Sequence, residues 1–169
     1  MGICFIGNKK FKKFISSYIK NIPGEIVDEN NIVIGRHNGM FYTTIGQREG
    51  IGVGGVKGAK NLPWYVYKKD LKNNKLHVCQ GNNNPLLFHQ SIFIKDLELI
   101  TDSIDSILER NLLCQIRHLG EKYFCNIEKI NKNLFRVDSN ELIRAPAQGQ
   151  SLVIFDDNKC LGGGIITYG

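Results

Sequence analysis

A long series of short β-prone runs between residues 64 and 167 constrains the fold most strongly. The runs cover 64–68, 75–79, 91–94, 97–100, 112–119, 123–130, 134–137, 141–145, 151–155 and 164–167. Clusters of turn-forming residues separate many of them, at 72–74, 81–85, 131–133, 139–140 and 156–159. Only 102–110 could form a brief helix or a loop. Many short strands divided in this way predict a closed antiparallel barrel.

The sequence before residue 63 has a different organisation. Residues 9–20 place apolar side chains at a helical spacing and lysines on the other face, which predicts an amphipathic helix. The runs 25–27 and 32–34 flank a turn at 28–31 and predict a hairpin, 40–45 is β-prone, and 46–58 is rich in glycine. We therefore predict a mainly β chain, with a small α+β subdomain at 1–62 and the barrel at 63–169.

Charge is distributed unevenly along the chain. Residues 1–72 hold 12 Lys and Arg against 5 Asp and Glu, whereas residues 73–169 hold 10 against 11. A basic first half can attract a polyanion such as tRNA through counterion release. Alternatively, the lysines of segment 9–13 only keep one helix face in water.

The five cysteines match neither a zinc-binding spacing nor a disulfide framework, so we predict no metal site. Cys79, Cys114, Cys125 and Cys160 lie among apolar neighbours and are predicted to be core residues in a reducing cytoplasm. Cys4 differs because it precedes the basic helix. A thiolate there would be favoured by the helix dipole and the lysines, which suits a nucleophile or a persulfide carrier. The other interpretation of Cys4 is a buried apolar residue between Ile3 and Phe5.

Two further motifs have weaker interpretations. Residues 50–55 satisfy the pattern G-x-G-x-x-G, but a dinucleotide site also needs a helix that begins within the pattern. No helical period follows, so we favour a loop whose backbone can approach a partner closely. Arg117 and His118 are adjacent in the predicted strand 112–119 and could reach RNA from a barrel edge, or simply decorate the surface. No run is long and apolar enough to cross a membrane.

Several segments together resemble the tRNA-specific 2-thiouridylases, and they occur in the order of that family. The most specific are 44–55 and 160–166; the others are 2–7, 23–24, 37–39, 42–43, 63–66, 80–81, 84–86 and 149–151. The resemblance spans nearly the whole chain. It implies a central domain and a C-terminal β-barrel of an enzyme whose ATP-pyrophosphatase-type domain, with its Ser-Gly-Gly phosphate loop and partner cysteine, is not in this sequence.

The resemblance also implies roles for particular residues. Cys4 matches the cysteine that carries the persulfide, while Arg117, His118 and Gln150 match positions that contact tRNA. The family usually has Tyr where His118 stands, although a histidine ring can still stack on a base or donate a hydrogen bond. The implied reaction is adenylation of the C2 oxygen of the wobble uridine by ATP, then attack on C2 by sulfur.

We therefore expect part of a cytoplasmic sulfurtransferase whose partners are the tRNA anticodon region and a sulfur-relay donor protein. No cofactor site is expected in this chain, since ATP would bind to the other domain, and the chain alone should be inactive. Two alternatives remain open: a non-catalytic RNA-binding barrel like those of translation factors, and a protein-interaction module that receives sulfur without touching RNA.

Overall fold

The computed structural model describes residues 18, 21–53, 58, 61–100, 103–108 and 110–168. It divides the chain into two compact units, Met1–Asn84 and Pro85–Gly169. The predicted helix at 9–20 lies outside the described residues except for Tyr18. Within the described part, no helix is long and apolar enough to span a membrane.

The first unit contains a four-stranded mixed sheet. Its strands are β1 (Gly24–Val27), β2 (Val33–His37), β3 (Trp64–Asp70) and β4 (Lys75–Gln80), arranged in the order β2-β1-β4-β3. β1 runs parallel to β4, and the other two pairs are antiparallel. The sequence predicts that 64–80 belongs to the barrel, but β3 and β4 belong to this sheet. The division of the chain lies at Asn84/Pro85, whereas we had expected it at 62/63.

The hairpin of β1 and β2 forms as the sequence predicts. The Asp28 carboxylate accepts hydrogen bonds from the backbone N–H groups of Asn30 and Ile32, at 2.9 and 2.8 Å. Asn31 adopts a φ of 61°, a conformation that asparagine tolerates better than most residues. Local side-chain bonds therefore fix this turn.

The β-prone run at 40–45 is not a strand. Met40–Tyr42 forms a 3-10 turn after Gly39, and the Thr43 hydroxyl donates a hydrogen bond to the Met40 carbonyl at 2.9 Å. The following backbone pairs with β3, because the N–H of Gly46 bonds to Val66 O at 2.7 Å and the N–H of Val66 bonds to Gln47 O at 3.0 Å. Residues 40–45 are therefore not a strand of the sheet, and the bonds to β3 come from Gly46 and Gln47 after them.

The second unit is a closed barrel of six antiparallel strands in the order β10-β5-β8-β7-β6-β9. They are β5 (Phe88–Leu99), β6 (Leu112–Gln115), β7 (Tyr123–Lys129), β8 (Leu134–Arg144), β9 (Ser151–Asp156) and β10 (Lys159–Thr167). A short helix α1 (Ile104–Ile107), capped by the Ser103 hydroxyl, lies between β5 and β6. The predicted barrel and the mainly β fold class are thus confirmed.

The predicted turn at 139–140 is instead an irregularity inside the long strand β8. The pairing with β5 shifts register, from His89↔Ile143 to Ser91↔Asp138. The buried Ser139 hydroxyl bonds to the Gln90 carbonyl at 3.1 Å, so it satisfies a backbone group that the shifted ladder leaves unpaired. Two predicted strands, 134–137 and 141–145, are therefore one bulged strand.

Glycines let β10 approach its two neighbours closely. A Cβ atom on Gly162 would overlap the carbonyl oxygen of Glu98 in β5, and one on Gly163 would overlap that of Leu152 in β9. Leu161 is fully buried in the interior and Ile166 nearly so, on either side of a register shift between Gly163 and Ile165. The glycine-rich run of the motif 160–166 is therefore required for closure of the barrel.

Candidate RNA-binding rim of the barrel

One end of the barrel carries the loops that hold the residues predicted to contact RNA. Because all neighbouring strands are antiparallel, β6, β8 and β10 end where β5, β7 and β9 begin. Two loops occur there, 116–122 between β6 and β7 and 145–150 between β8 and β9. We call these two loops the rim. Loops held by a rigid scaffold are common places for binding residues.

Arg117 and His118 lie in the first rim loop rather than in a strand. β6 ends at Gln115, and both side chains are exposed in the turn that follows. The turn is closed by a hydrogen bond from Gly120 N–H to Arg117 O at 2.9 Å and by the Gln115 side-chain amide, which donates to Gly120 O at 2.6 Å. The sequence identified these residues as a pair but not the turn that exposes both.

Arg117 connects the two rim loops. Its guanidinium donates a hydrogen bond to the carbonyl oxygen of Ala145, at 3.0 Å, where the second loop begins. Ala145 is fully buried, adopts a φ of 52°, and donates its own N–H to Leu87 O at 2.6 Å. This carbonyl was missed by the sequence analysis, since an alanine backbone group gives no residue-type signal.

Gln150 lies at the end of the second rim loop and is held by backbone bonds. Its N–H donates to Ala147 O at 3.1 Å, and its carbonyl accepts from the N–H of Ile166 at 2.8 Å. Gly149 has a φ of 84°, which suits glycine in this tight turn. The side-chain oxygen Oε1 of Gln150 is buried and has no hydrogen-bond partner among the described residues. Its acceptor capacity is therefore unused by the protein.

The Lys122 side chain runs away from the rim. Its ammonium lies 4.0 Å from the centre of the Phe155 ring and donates to Asp157 O at 3.3 Å, in the turn that follows β9 at the other end of the barrel. Glu121 accepts a hydrogen bond from the Tyr123 hydroxyl at 3.0 Å. Burial, followed by this bond, raises the pKa of Tyr123, so the phenol stays protonated at neutral pH.

Comparisons with known proteins agree with this architecture. A family model described as the tRNA methyl transferase PRC-barrel domain matches residues 12–80, and one described as the aminomethyltransferase beta-barrel domain matches 89–166. The tRNA-specific 2-thiouridylase MnmA of Pseudomonas fluorescens is 44% identical over 165 residues, covering 98% of this chain and 43% of that protein. The MnmA of Francisella philomiragia is 43% identical over 165 residues, covering 98% of this chain and 46% of that protein. The chain belongs to the tRNA-specific 2-thiouridylase family.

A further relative, MnmA 2 of Aliarcobacter butzleri, is 39% identical over 172 residues, covering 99% of this chain and 47% of that protein. The chain thus spans a little less than half the length of these curated relatives. The two family models meet between residues 80 and 89, around the division of the structure at Asn84/Pro85. The family resemblance seen in the sequence is confirmed.

The cysteines of the chain fall into distinct environments. Cys4, the predicted persulfide carrier, lies outside the described residues. Cys79, Cys114 and Cys125 are fully buried, as predicted, but Cys160 is exposed. Cys160 precedes the inward-facing Leu161, and successive strand residues point to opposite faces. The prediction of a core position for Cys160 is therefore wrong.

The buried Cys125 of the barrel is unsuited to thiolate chemistry. A hydrogen bond with the Cys114 thiol, and then burial, raise the pKa of Cys125 far above its ordinary value. A thiol of this kind stays protonated and packs as a small apolar side chain. Within the described residues, no group of three His, Cys, Asp or Glu side chains could hold a metal ion.

Proposed function

We propose that this chain is the sulfur-carrying and RNA-docking portion of a tRNA-uridine 2-sulfurtransferase. Family membership supports the reaction class, since the relatives are named tRNA-specific 2-thiouridylases. The observation that carries RNA docking is the hydrogen bond from Arg117 to Ala145 O. It ties together the two loops that hold Arg117 and Gln150, so both residues sit on one preorganised edge.

The rim offers complementary contacts for RNA. The Arg117 guanidinium has five N–H donors, of which one is directed to Ala145 O, and its exposed side chain can pair with a backbone phosphate. The exposed His118 ring can stack on an unpaired base. The buried Oε1 of Gln150, which has no hydrogen-bond partner among the described residues, can accept a hydrogen bond from a ribose 2′-hydroxyl or a base amino group once the side chain turns outward. An anticodon loop presents all of these groups.

Cys4 is the proposed sulfur carrier in the cytoplasm, loaded by a sulfur-relay protein. ATP is a substrate that converts the uridine C2 oxygen into part of an AMP leaving group. The terminal sulfur of a Cys4 persulfide attacks C2, the C2–O bond breaks, and AMP leaves with that oxygen. A second thiol, such as the partner cysteine of the ATP-pyrophosphatase-type domain, then cleaves the S–S bond. The tRNA leaves with its uridine converted to 2-thiouridine, and a cysteine disulfide remains that cellular thiols must reduce before the next turnover.

Substitution at Arg117 tests RNA docking. Arg117→Ala should weaken binding of an unmodified anticodon stem-loop by about tenfold. Because one phosphate contact is lost, the slope of log K against the logarithm of the salt concentration should become shallower by about one. Lys132→Ala removes the same charge from an exposed turn at the other end of the barrel and is the matched control. Equal losses in the two variants, measured by fluorescence anisotropy across a salt series, would contradict docking at the rim.

Persulfide trapping tests the sulfur-carrying role of Cys4. After incubation with a cysteine desulfurase and cysteine, alkylation and peptide mass spectrometry should find an extra sulfur on Cys4. The exposed Cys160 controls for accessible thiols, and the buried Cys125 for protected ones. The same measurement is made on the chain joined to the ATP-binding domain of a relative. If Cys4 takes up neither the alkylating reagent nor sulfur in either form while RNA binding persists, the non-catalytic RNA-binding barrel is favoured.

A further inference from the structure

We propose that Leu119, in the first rim loop, contacts the face of an unpaired base of the RNA. The inference rests on the RNA-docking role proposed for the rim, and it adds a residue that neither the sequence motifs nor the family resemblance singles out. The turn that holds Arg117 would then supply two kinds of contact, one to the RNA backbone and one to a base.

The backbone conformation of Leu119 is unusual for a leucine. Arg117 O accepts the Gly120 N–H at 2.9 Å, so residues 117–120 form a β-turn with Leu119 at its third position. Leu119 has a φ of 60°, whereas His118 before it does not have a positive φ. This is the pattern of a type II turn, whose third position favours glycine or asparagine because a Cβ atom is strained there. Leucine therefore stabilises this turn less than either of those residues would.

Strain of this kind is concentrated at the rim. Six described residues other than glycine have a positive φ. Four of them are asparagine or aspartate, which tolerate the conformation: Asn31, Asn74, Asp96 and Asp157. The other two, Leu119 and Ala145, lie one in each rim loop. Strained backbone in residue types that do not tolerate it clusters at functional sites in proteins.

The two strained residues differ in what compensates the strain. Ala145 is fully buried, and both its carbonyl and its N–H are hydrogen-bonded, to Arg117 and to Leu87. Leu119 is 89% exposed, the largest exposed fraction among the large apolar side chains that the structure describes. Its side chain therefore gains almost nothing from packing within the chain. Exposed apolar residues are common, but one that also strains its backbone points to a contact outside the chain.

The surroundings of Leu119 favour an unpaired base as that contact. Leu119 follows the exposed residues Arg117 and His118, and the Arg117 guanidinium suits a phosphate. The bases of an RNA loop can be splayed out, so that their flat faces are accessible close to such phosphates. A leucine covers a base face through van der Waals contact and removal of water, without hydrogen bonds to the base edge. Leu119 would therefore select unpaired over paired bases without selecting a particular base.

Leu119→Asn tests the contact, because asparagine tolerates the turn and removes the apolar side chain. The variant should weaken binding of an unmodified anticodon stem-loop by about tenfold, measured by fluorescence anisotropy. The salt slope should not change, because no charge is lost. The thermal midpoint should stay the same or rise, because the turn is relieved of strain.

Two control variants accompany this measurement. Leu119→Met keeps an apolar side chain and should change the affinity by less than about twofold. Ile130→Asn makes the same kind of replacement at an exposed apolar residue that follows β7, at the other end of the barrel. It should also change the affinity by less than about twofold.

Modified RNAs separate a base contact from a phosphate contact. Replacement of one loop nucleotide at a time by an abasic nucleotide keeps every phosphate. At the position that Leu119 contacts, the abasic replacement should weaken binding by the wild-type chain but cause no further loss in Leu119→Asn. An RNA duplex of the same length has no unpaired base, so the wild-type chain and Leu119→Asn should bind it equally.

Two results would overturn the inference. If Leu119→Asn binds the stem-loop as tightly as the wild-type chain, Leu119 does not contact RNA, and its exposure suits a protein partner instead. If the affinity falls only together with the thermal midpoint, the side chain supports the fold. Loss of binding in Arg117→Ala but not in Leu119→Asn would refute the base contact alone. No binding of the stem-loop by the wild-type chain would refute RNA docking as well.

Discussion

Gly162 in β10 gives the sharpest test of how the barrel closes. Replacement by alanine adds one Cβ atom at a position with a φ of 148°, where L side chains are strained. The new atom would overlap the Glu98 carbonyl oxygen and lie 2.8 Å from the Cα of Leu99. Both neighbours are backbone atoms of β5, so relief requires movement of a strand and not of a side chain.

The expected cost has two parts. Backbone strain at a positive φ contributes about 1–3 kcal/mol. Overlap with a packed neighbour contributes about 1–3 kcal/mol more, as in overpacked cores. Gly149→Ala separates the two, because Gly149 also has a positive φ, of 84°, but an added Cβ would meet no atom within 4 Å. Gly162→Ala should therefore be less stable than Gly149→Ala by about 1–3 kcal/mol.

Urea unfolding followed by far-ultraviolet circular dichroism measures this difference. For a chain of this length, each kcal/mol also corresponds to about 2–4 °C in the thermal midpoint. The Arg136→Ala variant, which removes surface ion pairs with Glu128 and Asp138, should change stability by less than about 1 kcal/mol and sets the scale of a surface effect. If Gly162→Ala and Gly149→Ala lose the same free energy, the close approach of β10 to β5 is not what requires glycine.

The remaining predictions concern His77. Its two ring nitrogens are buried without a hydrogen-bond partner in the part of the chain that the structure describes, and its ring meets Tyr67 edge to face at 5.8 Å. His77→Phe keeps the ring contact and should raise the free energy of unfolding at about pH 7.5 by about 1 kcal/mol, measured in urea. Burial, and then Lys68, lower the pKa of His77 below its model-compound value of 6.5. The unfolded chain therefore binds the proton first, and stability is lost as pH falls through about 6.5. His77→Phe should remove part of this loss, while His37 and His89, with pKa values also lowered by burial, retain the rest. An unchanged pH slope together with lower stability would show that His77 has a polar partner.

Features with local causes could be predicted from the sequence. The turn after β1 was found because the Asp28 side chain bonds two nearby N–H groups, and the same bonds would form in almost any tertiary setting. The strand character of 64–68, 75–79, 123–130 and 151–155 was likewise visible in runs of β-branched and aromatic residues. The turn predicted from the composition of 139–140 is wrong, because the register shift between β5 and β8 places the buried Ser139 inside a strand.

The sequence predicted the candidate rim residues but not the contact that links them. Arg117, His118 and Gln150 were identified by resemblance to the thiouridylase family, from residue types at matching positions. The link between them runs through the Ala145 carbonyl, and no side-chain pattern encodes a backbone acceptor that becomes available at a φ of 52°. Cys160 shows the same limit, since an apolar neighbourhood along the chain did not reveal which face of β10 it occupies.

The sequence by itself determined the mainly β class, the barrel, the basic first half and the family, because these depend on composition and on residues close together in the chain. Tertiary structure alone decided that β3 and β4 join β1 in the first sheet, through the parallel pair Ile26↔Leu76. That pairing joins residues fifty positions apart. Its free energy comes from burying both strands against a common core, which no short window of sequence contains.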